Sequence, residues 1–235
     1  MKVLDKGEVT LINSMGGDLS VIAAARVSNG ARYEEASKGL EADQKLINYL
    51  VRHRHGTPFE HATFQFYVKA PLFVVREWQR HRMASYNEIS GRYVEFKEEF
   101  YIPDKFRMQS KSNKQGSFFP TDDDVAKYAH ITVDTWDEQN RQWLIEWCET
   151  AFAAYNTYLG SGMAKEMARM ILPLNLYSQF YFTVNARSLM NFLSLRSAED
   201  AQWEIRQYAI AMKGMFRGVM PMTYQAWEDN AYITP

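Results

Sequence analysis

One cysteine, Cys148, is all that the 235 residues contain. No internal disulfide can form, and a reducing compartment is the natural expectation. There is no glycine-rich dinucleotide fingerprint of the Rossmann type, so any dinucleotide must be held by other means. Net charge is nearly absent too: 27 Lys and Arg against 28 Asp and Glu leave −1. That balance argues against a general nucleic-acid binder, which needs a basic surplus to displace counterions. The opening residues Met1-Lys2-Val3-Leu4-Asp5-Lys6 lack the apolar run of a secretory signal. The uncharged stretch from Met170 to Ala186 is broken by Asn175, Ser178, Gln179 and Asn185, which makes a membrane span a poor reading. A cytoplasmic protein is the expectation.

What is present is unevenly placed. Hydrophobic residues make up 46% of the chain, enough for a large core in a single domain covering residues 1–235. Four of the five histidines fall between His53 and His81, alongside Arg52, Arg54, Arg76, Arg80, Arg82 and Arg92, while no aspartate occurs between Asp43 and Asp104. The chain is neutral as a whole and positive in one place.

Periodicity gives a mixed architecture. Glu8 to Ile12 reads as a strand, and Asp18 as the cap of a helix through Arg26. A helix fits Glu41 to His53. His61 to Lys69 alternates, with Ala62, Phe64, Phe66 and Val68 on one side, as a half-buried strand does. Pro71 suits the first turn of a helix to about Arg82, and a short strand fits Tyr93 to Phe96. The polar stretch from Asp104 to Asp124 is expected to be a mobile loop. Val125 to Leu159 supports one long helix or two joined ones, ended by Gly160-Ser161-Gly162. A helix from Met163 is halted by Pro173, Leu176 to Val184 is a strand, and Ala186–Arg196 and Ala201–Met215 are helices. The fold class expected is α+β, a single domain with a central sheet and packed helices.

The most informative segment is Arg80-His81-Arg82-Met83-Ala84-Ser85-Tyr86-Asn87-Glu88-Ile89-Ser90-Gly91-Arg92. Arginine offers a planar fork of donors matched to phosphate and to carbonyl edges, and hydroxyls with glycine-flanked amides add further donors for anions. Ser90-Gly91-Arg92 therefore suits a phosphate. Ser90 is a poor nucleophile, since no histidine is fixed beside it by spacing. Leu189, Phe192, Leu193 and Arg196 follow the i, i+3, i+4, i+7 pattern, so Arg196 continues an apolar stripe. A buried guanidinium without a partner is costly, and the alternative is a frayed helix end with the charge snorkelling outward. Cys148 lies between Trp147 and Glu149 in a helical run, where a lone cysteine is usually packing.

Arg-His-Arg followed after seven residues by Ser90 resembles the signature of the flavin-dependent thymidylate synthases, as does the longer spacing that adds Ser85, Asn87, Glu88 and Arg92. The likeness extends through Ala24-Arg26-Val27-Ser28, His55-Gly56-Thr57-Pro58-Phe59-Glu60-His61, Leu172-Pro173-Leu174-Asn175 and Asn185 to Leu193 with Arg196. The resemblance implies reductive methylation of dUMP to dTMP. The expected carbon donor is 5,10-methylenetetrahydrofolate, with NADPH as reductant and FAD as hydride carrier, and no cysteine nucleophile or metal. It implies that His55, Thr57, Arg80, His81, Arg82, Glu88, Asn185, Ala186, Arg187 and Asn191 meet FAD. Glu77, Trp78, Gln79, Arg80, Glu88, Ile89, Ser90, Gly91, Arg92, Arg169 and Arg196 are expected at the nucleotide. Arg196 is expected to face the uracil ring and favour loss of the N3 proton, as a nearby cation does. A homotetramer with shared active sites follows from the same resemblance, with no nucleic acid or membrane partner. One departure stands out: the family commonly carries glutamine where this chain has Glu77. A carboxylate there would repel a phosphate unless an arginine held it.

Two rival readings come from the residues alone. His53, His55 and His61 could be taken as metal ligands of a hydrolase, against which Arg52 and Arg54 would repel a dication. Arginines with aromatics could make a nucleic-acid-binding module, against which stands the neutral net charge.

Overall fold

A computed structural model describes residues 1–235. In chain order the elements are β1 (Lys2–Val3), β2 (Gly7–Met15), α1 (Asp18–Arg26), α2 (Leu40–Arg52), β3 (Thr63–Pro71), α3 (Leu72–Trp78), β4 (Ser85–Glu88), β5 (Met108–Gln109), β6 (Ser117–Phe118) and α4 (Asp122–Ala126). They continue with α5 (Val133–Gly160), α6 (Lys165–Ala168), β7 (Tyr177–Asn185), α7 (Ala186–Arg196), α8 (Trp203–Val219) and α9 (Pro221–Asp229).

The mixed helix-and-sheet class expected from the pattern is observed. Five strands in the order β1-β2-β3-β7-β4 form one antiparallel sheet. Its axis is the β3–β7 pair, which runs unbroken from Thr63 opposite Asn185 to Pro71 opposite Tyr177. Period-two alternation puts Phe64, Phe66, Val68 and Ala70 of β3 and Phe180, Phe182 and Val184 of β7 into the core. There α3, α7 and α8 cover them. A smaller cluster of Phe100, Cys148, Tyr155, Ala168, Leu172 and Leu176 lies under α5. Cys148 is buried in it beside Asn175, and burial raises its thiol pKa, which is the packing role expected of a lone helical cysteine.

Several boundaries differ from the pattern, each for a tertiary reason. The helix from Pro71 stops at Trp78 instead of running to Arg82. The Tyr86 hydroxyl donates to Trp78 O at 2.9 Å and His81 O at 2.8 Å, satisfying carbonyls that a further helical turn would have used. Arg76 and Arg80 therefore do not share a helix face. The strand expected at Tyr93 to Phe96 is turn and irregular backbone. The strand is instead β4, inside the signature, where Ser85 to Glu88 pair with Thr183 to Phe180 of β7. Strand pairing overrides a polar sequence here.

Asp18 does not cap its own helix, where Gly17 holds that position without a side-chain cap. Its carboxylate accepts instead from Met222 N (2.9 Å), Thr223 N (3.0 Å) and Thr223 Oγ1 (2.6 Å) at the start of α9. The sequence pattern does not announce that helix, although Pro221 opens it. The stretch from Asp104 to Asp124 holds the β5–β6 hairpin and the start of α4. A single long helix occupies 133–160, and the segment after Met163 is only a short helix and a 3-10 turn.

Candidate active site

The sheet axis delivers two short segments to one place. At the end of β7 the chain enters α7, with the Asn185 side chain accepting from Ser188 N at 2.8 Å as the cap. Beside it the turn after α3 carries Arg80-His81-Arg82. Between them lies a cavity of about 980 Å³, lined by Arg80, His81, Arg82, Met83, Ala84, Asn185, Arg187, Ser188, Asn191 and Arg196, with Glu60, Val184, Leu195, Thr234 and Pro235 completing the wall. Seven residues singled out from the sequence meet here. The positive end of the α7 dipole adds to the arginines in favouring an anion here.

Arg196 is held by neighbours on three sides. Its Nε donates to His81 Nε2 at 2.9 Å, its Nη1 pairs with Glu77 Oε2 at 2.8 Å, and its Nη2 donates to Glu77 O at 3.4 Å. The partner demanded by an arginine on an apolar stripe is thus Glu77, and the frayed, outward-pointing alternative is excluded: the Arg196 side chain is 20% exposed. Arg80, three residues after Glu77, lies past the end of α3.

His81 packs edge-on against Phe192, centroids 4.8 Å apart. Burial first, and the charge of Arg196 second, depress its pKa from 6.5 to about 4. The ring is neutral at ordinary pH, with Nε2 free to accept and the proton on Nδ1.

Arg187 donates from Nη1 to Glu60 Oε1 at 2.6 Å and from Nε to Pro235 O at 2.9 Å. A Cβ at Gly56 would run into this guanidinium, which accounts for the glycine between His55 and Thr57. His55 and Thr57 are exposed beside this turn, and His55 stacks on Tyr49 with centroids 5.7 Å apart. Neither lines the cavity. Arg80 and Arg82 are exposed and carry no carboxylate partner.

A second cluster sits at the far end of β4. Arg92 pairs with Glu166 (Nε to Oε2, 2.7 Å). The Arg92 amide donates to Ser90 Oγ at 3.3 Å. A Cβ on Gly91 would meet Arg169 Cδ at 3.0 Å and the Phe96 ring, so only glycine allows Arg169 to close over the Ser90-Gly91-Arg92 turn. Glu88 accepts from Ser178 Oγ and from Gln79 Nε2, which leaves its carboxylate largely occupied.

Two expected contact residues lie elsewhere. The Trp78 indole is fully buried and stacks on Phe192 at 4.9 Å, and Ala186 is fully buried with its amide bonded to Ala62 O. Neither residue presents surface to a ligand. Glu60, Ser188, Leu195, Thr234 and Pro235 line the cavity but were not assigned to a ligand from the sequence. The clue for Glu60 was the exposed acid beside a cation-rich stretch, and for Ser188 the first turn of a capped helix.

The rival metal site does not assemble. His53 and His55 flank Tyr49 with centroids 6.5 Å apart, His61 faces a groove with Ser20 and Ala24, and no group of three or more His, Cys, Asp or Glu side chains converges. No helix is long and apolar enough to cross a membrane.

An arginine-walled cavity set between a sheet and a capped helix is chemically suited to phosphorylated ligands. The chain matches the family model described as thymidylate synthase complementing protein over residues 10–222. It is 45% identical over 235 residues to the flavin-dependent thymidylate synthase of Kosmotoga olearia, covering 99% of this chain and 94% of that one. A Thermus thermophilus protein of the same description is 47% identical over 228 residues, covering 97% and 78%. Among solved structures, the UMP/dUMP methylase PolB of Streptomyces cacaoi, bound with 5-Br dUMP, superposes with a TM-score of 0.84 at 36% identity and full coverage of both chains. The chain belongs to the thymidylate synthase complementing protein family, the flavin-dependent thymidylate synthases.

Proposed function

We propose that the protein converts dUMP to dTMP with 5,10-methylenetetrahydrofolate as one-carbon donor, NADPH as reductant and FAD as the redox cofactor. The observation that carries this is the convergence of Arg80, His81, Arg82, Asn185, Arg187, Asn191 and Arg196 on one cavity.

The donor set fits a flavin dinucleotide. Arg80, Arg82 and Arg187 supply cations for a diphosphate, and Asn185, whose oxygen is engaged as a cap, offers its amide N–H groups. When bound, the cofactor supplies the hydride that completes the methyl group. The chain's own task is positioning and electrostatics. Arg196 has five N–H groups, three of them engaged by His81 and Glu77. The two that remain can meet the O4 and N3 edge of a uracil ring and favour its ionised, C5-nucleophilic form. Ser90, Gly91, Arg92 and Arg169 would take the nucleotide phosphate.

The phosphate cluster and the cavity stand at opposite ends of β4, four residues or roughly 13 Å apart by strand rise. A site that uses both is best completed by a neighbouring copy, which supports the shared sites of a homotetramer. Residues 1–235 would then act as one domain of a cytoplasmic enzyme.

Purified protein should be yellow, with flavin absorbance displaced from that of the free cofactor, and should form dTMP from dUMP when folate and NADPH are added. A colourless preparation that cannot be reconstituted with FAD overturns the assignment.

A further inference from the structure

We propose that Glu77 is a positioning residue that works with His81 to aim Arg196 at the pyrimidine, and that its negative charge sets how strongly Arg196 draws the N3 proton off the ring. The inference rests on the reading that Arg196 ionises the uracil, and deepens it.

Three observations carry it. Glu77 grips the guanidinium twice, through its carboxylate at 2.8 Å and its own carbonyl at 3.4 Å. His81 fixes the third side at 2.9 Å through a nitrogen that can accept only while the ring is neutral. Glu77 stands on the last turn of α3 and His81 three residues past its end, so the early stop of the helix, pinned by Tyr86, sets the geometry of the clamp.

A carboxylate in this place has an electrical consequence that a carboxamide does not. Arg196 can stabilise an anionic ring by its full charge only where nothing nearby compensates it. Glu77 compensates it at contact distance. The other charged groups around the cavity are Arg80, Arg82 and Arg187, with Glu60 engaged by Arg187. Of the carboxylates there, Glu77 alone is paired to Arg196. The chain therefore holds its arginine more firmly than a glutamine could, and in return softens its pull on N3.

The test uses holoenzyme with bound dUMP labelled with ¹⁵N at N3, without folate, so that no turnover occurs. The ¹⁵N shift is followed against pH, alongside kcat and KM profiles in the complete reaction. Glu77→Gln keeps an acceptor for Nη1 and removes the charge, so the N3 titration midpoint should fall by about one pH unit, and the rising limb of kcat with it. Glu77→Ala removes the grip, and kcat should drop by about 10- to 100-fold with a much smaller change in KM. Arg196→Ala should raise the midpoint. If Arg196→Ala raises it while both Glu77 variants stay within about 0.2 pH units of the parent, the role given to Glu77 is wrong and that of Arg196 stands. A midpoint unmoved by Arg196→Ala overturns the ring-ionisation reading beneath it, and the inference with it.

Discussion

Removing the carboxylate of Asp18 should loosen the C-terminal segment that walls the cavity, although Asp18 is far from any ligand in sequence. In Asp18→Ala two backbone amides and the Thr223 hydroxyl lose their acceptor at the start of α9. Loss of a helix cap costs about 0.5–2 kcal/mol, and a buried donor left unpaired about 1–3 kcal/mol. Thr223 is fully buried, so little water reaches it. A total near 3 kcal/mol is reasonable, and at roughly 2–4 °C per kcal/mol for a chain of this size the melting temperature should fall by about 6–12 °C. The assay is thermal unfolding by circular dichroism. Asp18→Asn, which keeps one acceptor oxygen, should recover about half of the loss. Hydrogen exchange should show where the loss falls: amides from Tyr224 to Asn230 should exchange faster than those of β3 and β7. If Asp18→Ala melts within about 1 °C of the parent, the carboxylate does not hold the helix and the reasoning fails.

Other outcomes are open to measurement. Tyr86→Phe removes the donor that pins Trp78 O and His81 O, and flavin affinity should fall by about 5- to 30-fold, consistent with one or two lost hydrogen bonds. An unchanged affinity by fluorescence titration would show that the turn holds itself. Because the folded-state pKa of His81 lies below its unfolded value, the unfolded chain takes up a proton first as the solution is acidified. Stability contributed by the neutral ring is therefore complete above pH 6.5 and is lost as pH falls towards about 4, and His81→Gln should flatten that dependence in denaturant melts. Cys148→Ala should leave dTMP formation intact while lowering stability by about 1 kcal/mol, and loss of turnover in a folded variant would reinstate a cysteine mechanism.

Much of this molecule could be read from the chain, and what escaped has common causes. The long strands and α7 declared themselves because burial on one face imposes a period that local sequence records. The Arg196 stripe on α7 even announced that a partner must exist, but not which one. That identity depended on where α3 stops, which is decided by a hydroxyl eight residues past Trp78 in the chain. The β4 strand was invisible because Ser85-Tyr86-Asn87-Glu88 carries no apolar alternation and is held extended by β7. Asp18 looked like a cap and is one, for a helix some two hundred residues away. Trp78 and Ala186 sit among candidate ligand residues in sequence, yet the helices that carry them turn both into the core.

The aromatic pile beneath the cavity gives the enzyme an internal light source. Trp78 lies stacked on Phe192, which touches the His81 ring, so an indole in a dry setting sits one aromatic layer below the wall of the cavity. If the cofactor fills the cavity as proposed, that indole should pass its excitation to the flavin efficiently. Titrating apoprotein with cofactor should extinguish that component first and leave the water-exposed Trp143 glowing longest, so occupancy of the pocket can be followed without attaching a label.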